Sequence, residues 1–450
     1  MKILLVRVKP HKSSINLQSF MMCEPLEFEY VSAYLKDEHE IDFVDLLIER
    51  KSLAYFLKKQ KYDYVCFTAY INLVNEVKKA ALLVKKYIPT AYTIIGGVHA
   101  EIVPRDFLDP SIDFILWSNG VKTLLEITKQ KTKEEILNLA GVFGEGKMKP
   151  ANTPYDLPMP DRILTKKYRN HYNYIYHDKC ATIKTSYGCP YKCHFCFCTE
   201  LSNYYVRPIS EVIKEIKQIE EDNIFIVDDD FLFNVDRLNE FCDKLESNRI
   251  KKHFIAFGRA DFIVHNEDMI KRLAKNGFDA IFVGIESFKN SELNDFNKRT
   301  SVEQNIEAVK ILEDNGIDCY SGLIVGEDWA KEDFDALIHF LNQFQHPLVN
   351  IQPITPMPGT SYYINYSKRF EVSRKKNELW DMAHLVFKPE KMSARKYYYH
   401  ILRAYLKTSA NKKQRQYIKE KYGKGIYKRV RLGAAKIMIQ YLLLMIKPYR

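Results

Sequence analysis

The chain has 450 residues, 46% of them hydrophobic and 13% aromatic, so it can fill large cores, and its length predicts two or three domains. Nine Cys without a regular pairing pattern argue against a secreted disulfide-rich protein and favour a reducing cytoplasm. The net charge of +11 is unevenly placed: residues 391–450 hold 17 Lys and Arg against one Glu, a local +16, and residues 1–390 carry −5.

The first eight residues form too short an apolar run for a signal peptide and predict a first buried strand. No stretch of the sequence reaches the roughly 18 to 20 apolar residues of a spanning helix. We therefore expect a cytoplasmic protein.

Residues 1–150 are predicted to form a doubly wound parallel α/β sheet of the Rossmann or flavodoxin type. Short buried strands alternate with helical segments such as 27–36 and 73–87. The ligands of such a sheet bind at the carboxyl ends of its strands. The strands are predicted at 3–8, 41–46, 64–68, 92–96 and 112–117.

Two of these strand ends suit a large ligand. Thr68 ends the third strand, and Gly96 and Gly97, followed by His99, end the fourth. A glycine pair lets a flat or bulky ligand approach the backbone. This half resembles the cobalamin-binding domain that precedes many radical S-adenosylmethionine (SAM) barrels. The resemblance implies that Thr68, Gly96 and Gly97 line the nucleotide tail of cobalamin.

The loop after the first strand departs from the cobalamin pattern. An Asp-x-His-x-x-Gly loop is missing, because His11 has neither the Asp two residues before it nor the Gly three residues after it. The resemblance then implies a cobalt without a histidine lower ligand from this loop. We interpret His99 as a hydrogen-bonding residue near the ligand, since a lone His is weak evidence for a metal ligand. The alternative is a flavodoxin-like module that packs on the barrel and binds no ligand.

Residues 151–178 are predicted to be a linker. Pro154, Pro158 and Pro160 break helices and favour extended chain lying over the surface. The Tyr-rich end of the linker, residues 168–176, has an alternative role as a cover over the substrate pocket.

Residues 179–368 repeat strand and helix six times, which predicts a partial (β/α)6 TIM-like barrel, open on one side. Chemistry in parallel barrels collects at the carboxyl ends of the strands. The strands are predicted at 181–186, 223–227, 253–257, 280–284, 319–325 and 349–354, and helices at 210–220, 235–247, 266–275, 302–315 and 331–343.

A cysteine cluster follows the first barrel strand. Cys189, Cys193 and Cys196 are spaced Cys-x3-Cys-x2-Cys, and three thiolates this close suit an iron–sulfur cluster. A structural zinc site is the alternative, with His194 or Cys198 as the fourth ligand. His194 directly follows a ligand, so its side chain is expected to point away from the same metal. We interpret Cys198 as a neighbouring packing residue.

With the aromatic Phe195 before its last Cys, this motif resembles that of the radical SAM enzymes. In that family three cysteines hold a 4Fe–4S cluster whose open iron chelates SAM, and reductive cleavage of SAM yields a 5′-deoxyadenosyl radical. The resemblance implies that Cys189, Cys193 and Cys196 are cluster ligands, that SAM is bound, and that an electron donor such as flavodoxin or ferredoxin is a partner.

Polar residues follow the later barrel strands. The methionine part of SAM needs an acceptor for its ammonium and a cation for its carboxylate, and its ribose needs hydroxyl partners. For the three aspartates, the alternative is a helix N-cap with first-turn acids. The resemblance implies Asp228 or Asp229 near the ammonium, Arg259 at the carboxylate, Glu286 and Ser287 at the ribose and carboxylate, and Gly326 beside the adenine. The proline-rich turn at 353–360 resembles the sixth-strand turn of the same barrel.

Residues 369–450 are predicted to be a small, basic α-helical appendage, with helices at 394–406, 412–422 and 434–445. The last helix is nearly apolar and follows Lys424, Lys428, Arg429 and Arg431. Apolar surface beside Lys and Arg suits an interfacial helix on an anionic membrane. Packing on the barrel beneath a solvated basic face is the alternative. Nucleic acid is less favoured, because no nucleic-acid-binding module accompanies the charge.

The two resemblances together imply a cobalamin-dependent radical SAM enzyme that methylates an unactivated carbon, using a 5′-deoxyadenosyl radical and methylcobalamin. Radical cyclisation, oxidation or rearrangement with the first domain as a scaffold is a second hypothesis, and a non-enzymatic zinc-binding scaffold is a third. We expect a small-molecule or lipid-like substrate and a cytoplasmic enzyme that contacts the inner membrane face peripherally.

Overall fold

A computed structural model describes residues 1–144, 149–151, 157–201, 204–409 and 412–449, without the side chains of Thr199 and Glu200. Pro154 lies outside the described residues. The chain forms two compact units: unit 1 contains Met1–Ser14, Glu24–His171 and Ser373–Asp381, and unit 2 contains Ile15–Cys23, Tyr172–Val372 and Met382–Arg450. Ile15–Cys23 thus belongs to unit 2, and Ser373–Asp381 belongs to unit 1, although each segment is distant in sequence from the main part of its unit.

Unit 1 is a five-stranded parallel sheet with the order β2-β1-β3-β4-β5, which confirms the predicted Rossmann-like fold. Its strands are β1 Lys2–Arg7, β2 Glu40–Asp45, β3 Tyr64–Thr68, β4 Tyr92–Gly96 and β5 Phe114–Ile115. Its helices are α1 Leu26–Leu35, α2 Leu53–Lys59, α3 Val74–Tyr87, α4 Val98–Ile102, α5 Gly120–Thr128 and α6 Lys133–Leu137, with 3-10 turns at Ile71–Leu73, Pro104–Phe107, Lys166–His171 and Asn377–Leu379.

The core of unit 1 follows from its sequence pattern. The interior strand β1 is apolar on both faces, and its residues Ile3, Leu4, Leu5 and Val6 are fully buried. A parallel strand with both faces covered needs this continuous apolar run. In α3, the buried residues Val77, Ala81 and Val84 recur at helical spacing and place one face of the helix against the sheet.

The middle of the predicted linker, up to His171, is packed into unit 1. Arg162 Nη1 lies 2.9 Å from Glu24 Oε2, and Arg169 Nη2 lies 2.6 Å from Glu24 Oε1. Thr165 Oγ1 donates a 2.5 Å hydrogen bond to Glu29 Oε1. Both glutamates are buried, so they require these partners, and the segment that supplies them is held in place.

Unit 2 is a six-stranded, all-parallel sheet with the order β11-β10-β9-β8-β7-β6. Its strands are β6 Cys180–Ile183, β7 Asn223–Ile226, β8 His253–Gly258, β9 Phe278–Glu286, β10 Asp318–Val325 and β11 Leu348–Pro353. β6 and β11 lie at opposite ends of this order, as an open partial barrel requires, and the predicted TIM-like fold is confirmed.

Helices cover the barrel strands and extend beyond them. They are α7 Ile209–Ile216, α8 Val235–Ser247, α9 Ala260–His265, α10 Glu267–Lys275, α11 Asn290–Asp295, α12 Val302–Asp314, α13 Lys331–Leu341, α14 Ser361–Tyr366, α15 Ala394–Ser409, α16 Lys412–Lys421 and α17 Lys424–Ile446, with 3-10 turns at Phe197–Glu200 and Ser367–Arg369. Short antiparallel strands pair at Met21–Met22, Asn173–Tyr174 and His177–Asp178, and at Ser186–Tyr187 and Tyr205–Val206.

Two tyrosines of the 168–176 stretch pack at the amino-terminal end of the barrel. The Tyr176 ring stacks on that of Tyr422 with 5.0 Å between centroids, and the Tyr422 hydroxyl bonds to Asp318, the first residue of β10. Tyr174 lies 4.1 Å from the Phe225 ring. The alternative that these side chains cover a pocket at the carboxyl ends is therefore not what the contacts show.

The C-terminal region is helical, as predicted, but α17 begins ten residues before its predicted start at 434. Arg429 in its second turn is bound by Asp178, 2.6 Å away, which keeps this basic stretch helical and docked. Within the part of the chain that the structure describes, no helix is both long and apolar enough to cross a membrane.

Candidate active site

The carboxyl ends of β6 to β9 bring most of the predicted residues of unit 2 to one edge. The loop that contains Cys189, Cys193 and Cys196, called the Cys loop below, follows β6. The three aspartates 228–230 follow β7, Arg259 follows β8, and Glu286 ends β9. Because neighbouring strands are parallel and in register, the residues that follow them share one side of the sheet.

The Cys loop is held by backbone contacts with the segment that follows α11. His194 N–H donates to Phe296 O over 3.1 Å, and Asn297 Nδ2 donates to Lys192 O over 2.7 Å. The His194 ring bonds through Nδ1 to Asp295 O at 2.9 Å. The ring is thus engaged away from the thiols, as expected for a residue that directly follows a ligand.

The three cysteines of the motif are in no disulfide and are partly buried, and Cys196 lies within electrostatic range of both Cys189 and Cys193. Burial raises the pKa of Cys189 to about 12 and also raises that of Cys193, whereas a hydrogen bond from Cys198 lowers the pKa of Cys196. Among the described residues, no three His, Cys, Asp or Glu side chains surround one position for a single ion. In a 4Fe–4S cluster each of the three cysteines binds a different iron, and this is the role that the motif predicts for Cys189, Cys193 and Cys196.

Asp228 has a structural partner. Its two carboxylate oxygens accept hydrogen bonds from Thr185 N at 2.6 Å and from Thr185 Oγ1 at 2.5 Å. These bonds join the chain after β7 to the chain after β6 and occupy a fully buried group. Asp229 lies beside the cysteines, where its Oδ1 accepts from Cys198 Sγ over 3.3 Å.

Asp230 is the unpartnered carboxylate of the run. It is 3% exposed, and neither of its oxygens has a hydrogen-bond partner among the described residues. Burial raises the pKa of Asp230 to about 8, and the charges of Arg259 and Lys298 oppose that rise. A buried carboxylate without donors is costly unless a ligand supplies them, so Asp230 is suited to an ammonium group.

Arg259 is almost fully engaged. Nε and Nη2 each lie 3.0 Å from one Asp261 oxygen, in a bidentate pair, and Nη2 also donates to Lys298 O over 2.5 Å. The guanidinium stacks on the Tyr191 ring, 3.8 Å from its centroid. Nη1 points towards the cysteines, 4.0 Å from Cys193 Sγ. This nitrogen is the part of Arg259 best placed to bind a carboxylate beside a cluster.

Glu286 and Lys298 form a buried ion pair, with Lys298 Nζ 2.8 Å from Glu286 Oε1. Glu286 has φ of 58°, a left-handed conformation that is strained for a residue with a side chain. The pair also fills the space beside Gly284, where a Cβ would lie 2.2 Å from Glu286 Oε1 and 2.5 Å from Lys298 Nζ. Strain and buried charge in one place indicate a functional edge.

Ser287 and Gly326 belong to a second network. Ser287 Oγ donates to Glu292 Oε2 at 2.5 Å, and Trp329 Nε1 donates to Glu292 Oε1 at 2.7 Å. A Cβ on Gly326 would lie 2.8 Å from Asp328 Oδ1 and 3.0 Å from the Trp329 ring. Tyr397 fixes the same turn, because its hydroxyl donates to Gly326 O over 2.9 Å.

Sequence reasoning missed Asp230, Lys298 and Glu292 as site residues. Asp230 was within the aspartate run, but the pattern does not tell which carboxylate is engaged by Thr185. Lys298 stands between Asn297 and Arg299, both with positive φ. Nothing in the sequence distinguishes this lysine from the many exposed ones.

The predicted site of unit 1 is built from two neighbouring strand ends. β3 and β4 are paired, so that Thr68 is opposite Gly96. Gly97 has φ of 96°, and a Cβ on it would lie only 2.4 Å from Thr68 Oγ1. The Thr68 hydroxyl thus faces the backbone of Gly97 at the carboxyl ends of the strands, and we call this space the cradle. A side chain at Gly97 would fill the cradle, and the empty space suits the flat or bulky ligand that the sequence predicts there.

His99 is buried beside this cradle and is held by a chain of polar contacts. Its backbone N–H donates to Ala69 O at 3.2 Å, and Nε2 lies 2.8 Å from Asp106 Oδ2. Arg374 Nη2 contacts the same oxygen at 2.7 Å. Burial opposes ionisation of Asp106, but these two partners lower its pKa. His99 is thus a positioned hydrogen-bonding residue.

His11, the other histidine considered, is used locally: its Nδ1 accepts from Ser13 N–H over 3.2 Å.

Comparison with family models finds two matches in this chain. The radical SAM superfamily model matches residues 183–341, and the B12 binding domain model matches residues 15–128. The first range contains the Cys loop and β7 to β10, and the second contains the Thr68 and Gly97 cradle.

Two curated relatives span most of the chain. A hopanoid C-3 methylase of Methylococcus capsulatus is 30% identical over 86% of this chain and 76% of its own length. An anaerobic magnesium-protoporphyrin IX monomethyl ester cyclase of Cereibacter sphaeroides is 25% identical over 82% of this chain and 64% of its own length.

Solved structures share the fold at low identity. The cobalamin-dependent SAM radical enzyme OxsB, with aqua-cobalamin and SAM bound, superposes with a TM-score of 0.70 at 18% identity, over 98% of this chain and 72% of that one. The radical SAM methyltransferase TsrM of Kitasatospora setae, with cobalamin and a 4Fe–4S cluster bound, gives 0.63 at 14% identity, over 82% and 78%.

Proposed function

From the premise that this chain belongs to the radical SAM superfamily and carries a B12-binding domain, we propose that it is a methyltransferase acting on an unactivated carbon. The chain is a cobalamin-dependent radical SAM enzyme, and the hypothesis of a non-enzymatic zinc-binding scaffold is therefore rejected. The observation that carries the proposal is the 30% identity to a hopanoid C-3 methylase over 86% of the chain.

The residues present suit the cofactors. When bound, the cluster and SAM supply a hydrogen-abstracting 5′-deoxyadenosyl radical, and cobalamin supplies the transferable methyl group. Cys189, Cys193 and Cys196 would hold the cluster, and three partly buried thiols that are in no disulfide support this role. The chain's contribution is to orient these groups and to exclude water.

In unit 2, buried charges would position SAM. Asp230 would accept the methionine ammonium, which gives the carboxylate the donors that it lacks. Arg259 would bind the methionine carboxylate through Nη1, the nitrogen near Cys193. Glu286 and Ser287 would bind the ribose and carboxylate, and the Gly326 turn would support the adenine. Asp229 keeps its proposed place near the ammonium, and Asp228 acts by holding Thr185.

In unit 1, Thr68, Gly96 and Gly97 would line the nucleotide tail of cobalamin. The absence of a side chain at Gly97 leaves the Thr68 hydroxyl accessible. His99, oriented by Asp106 and Arg374, would hydrogen-bond near the cofactor, with its Nε2 proton directed to the carboxylate. No histidine from the loop after β1 is proposed as a cobalt ligand.

Two partners complete the proposal. An electron donor such as flavodoxin or ferredoxin would reduce the cluster. The +16 charge of residues 391–450 supports peripheral contact with an anionic membrane at the inner face, where a lipid-like or other hydrophobic acceptor would be met.

Ring closure is the second candidate, favoured by the 25% identity to a monomethyl ester cyclase. Anaerobic reconstitution with hydroxocobalamin, a low-potential chemical reductant that supplies the two electrons from Co(III) to Co(I), and methyl-labelled SAM separates the two hypotheses without an acceptor. Methyl transfer predicts labelled methylcobalamin together with S-adenosylhomocysteine. Corrin that binds but is never methylated would overturn the methyltransferase proposal in favour of the cyclase, and absence of corrin binding would assign unit 1 to a scaffold.

A further inference from the structure

Helix α17 is anchored along one face. Gly433 lets the helix approach the chain near Phe20, since a Cβ there would lie 2.8 Å from Phe20 Cδ1. The Tyr441 ring packs 6.0 Å from that of Tyr398 in α15, and Leu444 is buried. Arg429 donates to Ile175 O at 2.6 Å. This face packs against the rest of unit 2, as the alternative of a helix packed on the barrel predicted.

The opposite face is open and apolar. Ile439, Leu442, Leu443 and Ile446 are 58%, 48%, 58% and 61% exposed. Residues 439, 443 and 446 follow helical spacing, and 442 lies on the same side. Four large aliphatic side chains within two turns form a continuous patch, in contrast to the scattered single apolar residues of an ordinary surface. We call these four residues the apolar tip.

The same open face is basic in its amino-terminal turns. Lys424, Lys428 and Arg431 are exposed there, and Leu432 and Lys436 lie between them and the apolar tip. Arg429 has turned away to Asp178. On this face the basic turns therefore precede the apolar tip along the helix axis, and exposed Lys447 follows the tip at the end of the helix.

We infer that this face of α17 is a membrane-docking surface, with the apolar tip inserted among the acyl chains and the basic turns at the level of anionic lipid phosphates. The inference deepens the peripheral membrane contact proposed above and is independent of methyl transfer. An interfacial segment gains from buried apolar area and from attraction to anionic lipid, and α17 supplies both in adjacent turns.

The charge of the region favours a lipid surface over the other occupants. Residues 391–450 contain 17 Lys and Arg and one Glu, so two copies of the chain docked through this region would repel each other. A nucleic acid would use the basic turns but would leave the apolar tip in water. An anionic bilayer satisfies both halves of the face.

The test is flotation of the full-length protein with phosphatidylcholine vesicles that contain or lack phosphatidylglycerol. We expect binding only to the anionic vesicles, weakened by salt. Ile439→Ser/Leu443→Ser/Ile446→Ser should lower the partition coefficient about 100-fold, because it removes most of the inserted apolar groups. Lys424→Gln/Lys428→Gln should lower it roughly 20-fold on anionic vesicles.

The matched control is Leu82→Ser/Ile163→Ser/Ile364→Ser, which removes three aliphatic side chains that are 64%, 76% and 69% exposed elsewhere. It should float like the wild type. Equal melting temperature and 5′-deoxyadenosine formation in vesicle-free solution would show that the α17 variants are folded. The inference is overturned if the wild type does not float, if it floats equally on neutral vesicles, if the α17 triple variant still floats, or if that variant instead dissolves a dimer.

Discussion

The candidate sites of the two units both lie at the carboxyl ends of parallel strands, but one depends on empty space and the other on buried charge. Unit 1 offers a space, because Gly97 leaves out a side chain where a Cβ would lie 2.4 Å from Thr68 Oγ1. Unit 2 offers charge, in the buried groups Asp230, Arg259 and the Glu286–Lys298 pair. We therefore expect added side-chain volume to disable ligand binding in unit 1 and a change of charge to disable it in unit 2.

The largest expected effect separates the units completely. Cys193→Ala should abolish cluster assembly and 5′-deoxyadenosine formation, because a cluster ligand is lost. Corrin binding should persist, since unit 1 is unchanged. Iron, sulfide and nucleoside analysis after anaerobic reconstitution checks this. Cys198→Ala is the control, and it should keep full iron content. Persistence of both cluster and 5′-deoxyadenosine in the Cys193 variant would remove the cluster assignment.

The converse experiment acts on the space in unit 1. Gly97→Val should reduce cobalamin binding at least about 100-fold, because φ of 96° is strained for Val and its Cβ collides with Thr68. Cluster content should not change. Gly120→Ala is the control in the same unit, at a glycine outside the proposed cobalamin site, where a Cβ would make ordinary contact at 3.7 Å with Leu116. Corrin absorbance of gel-filtered protein distinguishes the variants, and equal loss in both would contradict the steric argument.

The ion pair of unit 2 is sensitive to charge instead of size. Lys298→Met leaves Glu286 buried without its partner and should lower the free energy of unfolding by about 3 kcal/mol. Urea denaturation measures this. The double variant Lys298→Met/Glu286→Gln should recover part of the loss, because no uncompensated charge remains. Additive losses would show that the two side chains are not coupled.

The two smallest effects concern one carboxylate, Asp230, and the first is on SAM binding. Asp230→Asn should raise the Kd for SAM about tenfold, which corresponds to about 1.4 kcal/mol for a charge-assisted bond. Asp228→Asn and Asp229→Asn are the comparisons within the run. If binding calorimetry shows the main loss in either of these two instead, the ammonium site belongs there.

Asp230 also predicts a pH dependence. Its folded-state pKa of about 8 lies above the unfolded value of about 3.9, so the folded state binds the proton more tightly and stability falls as pH rises between these values. Asn does not ionise. Without SAM, Asp230→Asn should therefore be about 1–3 kcal/mol more stable than the wild type at pH 8 and equal to it near pH 4. Parallel melting curves across this range would contradict the assignment.

Much of this could be anticipated along the chain. All six barrel strands and the first four strands of unit 1 lie within two or three residues of their predicted bounds, because buried parallel strands are short apolar runs between polar segments. The fifth strand of unit 1 is only two residues long, Phe114–Ile115, within the predicted range 112–117.

The sequence does not predict which residue of a motif has which partner. Three consecutive aspartates have the same side chain, and only their neighbours make one a bridge to Thr185, one a partner of Cys198 and one an unpartnered carboxylate. Lys298 became a site residue because the chain after α11 turns inwards towards Glu286. Arg374 reaches Asp106 although 268 residues separate them.

The sequence by itself determined the two parallel sheets, the cysteine triad and the glycine pair, because periodicity, spacing and the lack of a side chain are local properties. Only the tertiary structure decided which carboxylate is left without a donor, which lysine is buried, and which face of α17 is open. Those outcomes depend on solvent exclusion and on partners brought together from distant segments, and no local pattern encodes either.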